Sequence, residues 1–154
     1  MTAESPAADL SVDPDFFDLL TQTYRKLLGI PLVAQGQGPL WLYGEAPFAV
    51  LAHNTEADPK FIYANKTAQS CFGYSWDEFV QTRSRFSAEA LERPDRDRML
   101  SQVAQRGFLT DYRGVRISKT GRRFWIEDGT LWQLVDEQGV LRGQAAMFRS
   151  WRDA

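Results

Sequence analysis

The residues of this sequence best suited to chemistry lie in one short run, His53-Asn54-Thr55-Glu56-Ala57-Asp58. His53 is the single histidine of the chain, and a histidine beside two carboxylates is the raw material of metal sites and acid–base pairs. Ligands must converge, however, and residues within one short turn mostly point apart. The competing reading is a polar turn in which Asn54 and Asp58 bond nearby backbone while His53 closes a strand. Cys71, the single cysteine, could be a reactive thiol, but it shares an apolar face with Ala68 and Phe72 and reads rather as a buried structural group. A third polar set, Arg113, Arg116, Arg123, Glu127, Asp128 and Gln144, falls late in the chain. Nucleophilic catalysis needs a base within reach of a Ser, Thr or Cys, and one histidine in a turn does not assemble a triad. Gly36-Gln37-Gly38-Pro39 lacks the lysine and helix start of a phosphate cradle.

These residues must be positioned by local elements. Phe48, Val50 and Leu51 read as one strand, Asn54 to Pro59 as a turn, and Phe61-Ile62-Tyr63 as a second strand. Asn65 can cap a helix that Gly73 ends, and Ser75 with Glu78 three residues later fits a capping box for a helix over Trp76 to Thr82. Residues 83–93 read as an irregular helical turn. Pro94 opens a helix whose buried face is Met99, Leu100, Val103 and Ala104, stopped by Gly107. From there the period becomes two. Tyr112 to Ser118, Arg123 to Val135 with an interruption at Gly129, and Val140 to Trp151 are strands joined by Lys119–Arg122 and Asp136–Gly139 turns. Gly143, Ala145 and Ala146 keep the last strand small, as a closely packed helix would require.

Ahead of this unit, residues 1–12 are small, polar and Pro/Ala-rich, the composition of a disordered tail. Asp13-Pro14 starts an amphipathic helix over 13–29, with Phe17, Leu20, Tyr24, Leu27 and Leu28 at helical spacing. Its apolar face fits either its own domain or a second copy of the protein. Residues 30–46 read as a connecting loop carrying a hydrophobic plug. The domain proper is expected at 47–152. The order predicts an α+β fold, an antiparallel sheet with helices on one face plus the N-terminal amphipathic helix.

Composition narrows the function classes. The 154 residues carry 18 basic and 20 acidic side chains, a net charge of −2, which gives no footprint for nucleic acid or anionic membrane. No apolar run approaches the roughly 20 residues that span a bilayer, and the N-terminus has no secretory pattern. A cytoplasmic protein is the expectation. Aromatics make up 13%, with five Trp, and must serve as core or contact surface. Trp125 and Trp132 would form an aromatic patch on the sheet, covered either by a second subunit or by the lead helix.

The residues Ile62-Tyr63-Ala64-Asn65, Phe72-Gly73-Tyr74-Ser75 and Trp76-Asp77-Glu78-Phe79, taken in this order of elements, resemble a PAS domain, a five-stranded antiparallel sheet with helices across one face. The closer resemblance is to the MEKHLA-type, PAS-related family, found alone in bacteria and at the C-termini of some plant homeodomain regulators. It rests on Tyr24-Arg25-Lys26-Leu27-Leu28-Gly29, His53 to Pro59, Tyr63-Ala64-Asn65, Ser87-Ala88-Glu89, Gly107-Phe108, Tyr112 to Ser118, Gly121-Arg122-Arg123-Phe124 and Asp136-Glu137-Gln138-Gly139, and runs from about Phe16 to Trp151. The homeodomain, zipper and lipid-binding-type domain of the plant members have no counterpart in these residues, so DNA binding does not carry over.

The resemblance implies a sensory or binding module, regulatory and homodimeric, that takes a small molecule between sheet and helices or a separate effector protein on the sheet face. It names no cofactor. Flavin-binding light sensors of the PAS class carry their reactive cysteine in a helical Asn-Cys-Arg-Phe motif, absent from this sequence, and haem-binding relatives take a histidine from the helix that here spans 94–106, where there is none. Candidate ligand-contacting residues are His53, Tyr63, Cys71, Met99 and Ile126, with Phe86, Val103 and Met147 as further lining, each of which has a plain core reading too. Two alternatives stand beside this one: a small enzyme using the His53 turn with Arg113 or Glu127, and a ligand-free dimerisation domain.

Overall fold

The computed structural model describes residues 9–87 and 93–154. Residues 1–8 of the expected tail, residues 88–92 of the expected irregular turn, and the side chains of residues 93–96 and of Leu100 lie outside it. The first helix, α1 (Pro14–Leu28), begins where the sequence predicts: the Asp13 carboxylate accepts from Phe16 N at 2.8 Å, proline occupies the first turn, and Gly29 closes it with φ +76°. Its deepest stripe is Phe16, Leu20, Thr23 and Tyr24, so Phe16 rather than Phe17 points inward. The expected plug loop holds a short helix, α2 (Pro39–Gly44), and buries Leu32 and Leu42.

Strands β1 (Ala49–His53) and β2 (Phe61–Ala64) lead to α3 (Lys66–Phe72), α4 (Trp76–Phe79), a 3-10 turn at Ser84–Ser87 and α5 (Arg93–Arg106). The three long strands β3 (Phe108–Ile117), β4 (Arg123–Val135) and β5 (Leu141–Phe148) follow, and the chain then breaks at Arg149 into a short β6 (Ser150–Asp153). All pairings are antiparallel, in the order β2-β1-β5-β4-β3, with β6 lying against the first half of β4. The last strand is therefore two strands. Ala104, expected on the buried face of α5, is exposed, whereas Val103 is fully buried.

Both faces of the sheet are covered. On one, α1 and α2 pack over Val50, Tyr63, Trp132, Leu134 and Met147; on the other, the helical segment between β2 and β3 packs over Leu51, Phe61, Phe124, Ile126 and Phe148. The paired bulges of β3 and β4 make this double use of one strand possible. Asp111 and Asp128 both take positive φ (+57° and +51°), and the register slips beside each. Before Asp128 the even residues Phe124 and Ile126 face the helices; after it Leu131 does, and Trp132 and Leu134 face α1. Trp125 and Trp132 thus lie on the same face, as the sequence suggests. α1 covers Trp132, with Tyr24 edge-on at 5.0 Å and Thr23 Oγ1 accepting from the indole N–H at 3.0 Å. Trp125 lies instead under the Arg113 guanidinium, 4.3 Å from its ring centroid.

Asn65 joins the layers. Its side-chain oxygen accepts from Ala68 N and Val50 N, and its amide donates to the carbonyls of Leu42 and Phe48, all between 2.9 and 3.1 Å. Every bond the amide can make to a buried partner ties α2, β1 and α3 together. Gly143 also answers a close approach, though not of a helix. A Cβ there would lie 2.3 Å from the His53 carbonyl oxygen, so glycine lets β5 run against the end of β1.

Candidate functional site

The His53–Pro59 turn is organised around Asn54, whose side-chain oxygen accepts from Glu56 N and Lys60 N while its amide donates to Glu56. The carboxylates of the turn face arginines. Arg83 bonds Glu56 at 3.1 Å and the Asp58 carbonyl at 2.9 Å, and Arg85 Nε reaches both Asp58 oxygens at 3.1 and 3.2 Å. Backbone bonds from Ser84 N to Pro59 O and from Phe61 N to Thr82 O complete the attachment. The polar turn is a clamp. It fastens the segment 82–87 to the edge of the sheet, and exposed ion pairs of this kind contribute about 1 kcal/mol or less each. Among the described residues, no three His, Cys, Asp or Glu side chains converge in a way that would hold a metal ion.

Beneath the clamped segment lies a cavity of about 60 Å³ between the sheet and the helical layer. Its walls are apolar, from Leu51, Phe61, Phe72, Ile126, Leu131 and Phe148, and its polar groups are His53, Ser84, Ser87, Tyr112, Arg116 and Gln144. His53 Nδ1 lies 2.8 Å from the Asn54 carbonyl, an acceptor, so in the neutral ring Nδ1 carries the proton and Nε2 the lone pair. Arg116, on the strand face shared with Phe124, donates to the Val115 carbonyl at 3.0 Å and stacks over Tyr112 at 5.1 Å. Tyr112 owes its place to the bulge and to Gly114, where a Cβ would come within 2.4 Å of the phenol oxygen. One cation, several hydroxyl and amide groups and apolar walls can hold a small polar or anionic molecule.

Of the five candidate residues, His53 and Ile126 line this cavity, as does Met147. Tyr63 lies on the opposite face, against Phe16 of α1 (5.4 Å) and Trp76 (5.8 Å), and burial together with Tyr43 raises its phenol above the usual value. Cys71 sits in the core with Ala68 and Phe72, and burial pushes its thiol up to about 12 despite the nearby Arg122. Met99 is half-buried against the same core, and Phe86 is exposed. Sequence reasoning missed Ser84, Ser87 and Tyr112. Arg116 and Gln144 were in view as members of the late polar set, but only the register of β3 on β4 shows that Arg116 shares the core face of Phe124.

Solved structures with this architecture are PAS and light-oxygen-voltage domains. The PAS domain of a protein from Colwellia psychrerythraea superposes with a TM-score of 0.62 at 18% identity, covering 73% of this chain and 90% of its own. An RNA-binding light-oxygen-voltage receptor gives 0.62 at 18% identity over 80% of this chain and 36% of its own length. A PAS domain from a two-component sensor histidine kinase gives 0.57 at 19% identity, over 74% and 91%. Comparison with curated proteins gives no match. The MEKHLA domain family matches residues 14–153, a span that takes in α1, the clamp, the cavity and all six strands, and the chain belongs to that family.

Proposed function

We propose that this chain is a regulatory sensing module that takes a small polar or anionic molecule of a few heavy atoms in the cavity beneath residues 82–87. The observation that carries this reading is the cavity itself, where Arg116, His53, Ser84, Ser87 and Gln144 gather inside an otherwise close-packed core. The sensory assignment is supported by the fold, shared with a sensor histidine kinase PAS domain and a blue-light activated histidine kinase of Erythrobacter litoralis. In this proposal residues 47–152 are the sensing unit and 13–29 its cover, the chain works in the cytoplasm, and the occupied state is read by a separate effector protein.

A flavin, which the light-oxygen-voltage neighbours suggest, does not fit. Ligand sites for molecules of that size begin near 300 Å³, several times this cavity, and Cys71 does not line it. A homodimer through the apolar face of α1 would require the helix to leave the sheet, because Phe16, Leu20 and Tyr24 are buried on it. Light scattering of the full chain checks this point: a monomer mass sets aside the α1-mediated dimer.

Native mass spectrometry for a co-purified molecule, followed by thermal shift with C2 to C4 carboxylates and amides, tests the main reading. A ligand present at about 100 times its Kd should stabilise the fold by about 2.7 kcal/mol, and Arg116→Leu should abolish the shift for an anion. Absence of both a co-purified molecule and any shift overturns it.

A further inference from the structure

The face of the sheet opposite the cavity carries a second concavity, between α1 and the hairpin that joins β4 to β5. Its volume is about 680 Å³, and its floor is apolar, formed by Leu10, Phe16, Leu19, Ile62 and Val135. The apolar surface continues outward, since Val12, Val135, Val140 and Leu141 are all between 38% and 44% exposed. The rim is acidic. Asp13, Asp15 and Asp18 line it from α1, and Asp136 and Glu137 from the hairpin, against two cations, Lys26 and Arg142. Five carboxylates and two cations leave three negative charges on this groove, more than the net −2 of the whole chain. The rest of the chain then sums to +1, so negative charge is concentrated here.

Part of this acidity has a local cause. Asp13 caps α1, and Asp136 accepts from Gln138 N and Val140 N and pairs with Arg142. Asp15, Asp18 and Glu137 show no such bonds and add to the same field.

We propose that this groove docks a basic amphipathic segment of a separate protein, apolar side chains on the floor and Lys or Arg side chains along the rim. An apolar floor within a rim of one sign is the form in which helix-in-groove recognition sets orientation and partner choice. The other occupants fit less well. A symmetric dimer centred on the groove would set acidic rim against acidic rim. Residues 1–8 contain Glu4 and no Lys or Arg. Nucleic acid and anionic membranes carry the same sign as the rim. The groove and the cavity lie on opposite faces of the sheet, so this proposal stands independently of the small-ligand reading.

The test uses the full chain and a designed helical peptide of about 16 residues with Leu on one face and Lys on the other, together with its Leu/Glu counterpart. The Leu/Lys peptide should bind, shifting the amide resonances of Leu19, Gln22, Ile62 and Val135 to Gln138, and should weaken as salt rises from about 50 to about 300 mM. The Leu/Glu peptide should not bind. Asp18→Lys with Glu137→Lys should weaken binding about tenfold or more while leaving the melting temperature unchanged. Equal binding of both peptides, unchanged affinity in the double variant, or shifts that map elsewhere overturn the proposal. So does a concentration-dependent dimer that the double variant strengthens, which assigns the groove to a second copy. A chain starting at Asp9 that binds the peptide much more tightly than the full chain assigns it to residues 1–8, and equally overturns it.

Discussion

On the α1 side of the sheet, Trp132, Leu134, Leu20 and Leu42 are essentially inaccessible, Tyr24 and Trp132 meet edge to face, and the one buried indole N–H has its acceptor in Thr23. On the other side, five phenylalanines (Phe61, Phe72, Phe79, Phe124 and Phe148) interlock edge-on, yet the packing stops short beneath residues 82–87 and leaves about 60 Å³ lined with polar groups. The first face is completed by a helix that belongs to the same chain. The second is closed by a short segment held down at the surface by Arg83 and Arg85. Incomplete packing in a core costs stability, so the gap beside Arg116 and His53 sets the face under the helical layer apart from the close-packed one under α1.

The largest expected effect breaks the structural face. Trp132→Ala removes a fully buried ring and should destabilise by about 3–5 kcal/mol in urea denaturation. A loss below about 1 kcal/mol would mean that α1 does not stay packed on the sheet in solution. A matched pair sharpens the contrast: Leu134→Phe, on the close-packed face, should cost about 1–3 kcal/mol, whereas Leu131→Phe, which projects toward the cavity, should cost less than about 1. Equal costs would erase the distinction between the faces. Thr23→Val keeps the shape of the side chain but strands the Trp132 N–H, for an expected loss of about 1–2 kcal/mol by the same assay.

The last effect appears only at alkaline pH and concerns Cys71. Its folded value, pushed up to about 12, lies above that of an unfolded cysteine, so its contribution is complete below about pH 9 and is lost as pH rises from there toward 12. Stability measured across pH 8.5–10.5 should fall more steeply in the parent than in Cys71→Ala. A native thiol that reacts with a disulfide reagent as fast as free cysteine at pH 8 would contradict its burial.

Much of the fold was legible because its signals are local. Asp13-Pro14, Asn65 and the Ser75/Glu78 box announce helix starts through bonds made within three residues, and each forms in the structure. Alternation marked the long strands for the same reason. The cavity was not legible, because it depends on distant pairings: Arg116 beside Phe124 across β3 and β4, Ser84 and Ser87 brought over by the clamp, and Tyr112 turned inward by a bulge. The role of the turn was half legible. Its polarity stood out, but its partners Arg83 and Arg85 lie about 27 positions along the chain, in a stretch whose period points nowhere.

The paired bulges at Asp111 and Asp128 have a consequence for how this chain tolerates change. β4 serves two cores because its inside and outside exchange halfway along, much as a reading frame shifts at an inserted base. Removing the bulged residue Asp128 would leave Phe124, Ile126, Leu131, Trp132 and Leu134 in their present layers by plain alternation, and would cost the match to the bulge at Asp111 across β3. Removing Trp125 instead makes Phe124 and Ile126 adjacent and sends one of them to the wrong layer. Deletions three positions apart on the same strand would thus differ by a whole layer of the core, and that asymmetry belongs to the frame rather than to the side chain lost.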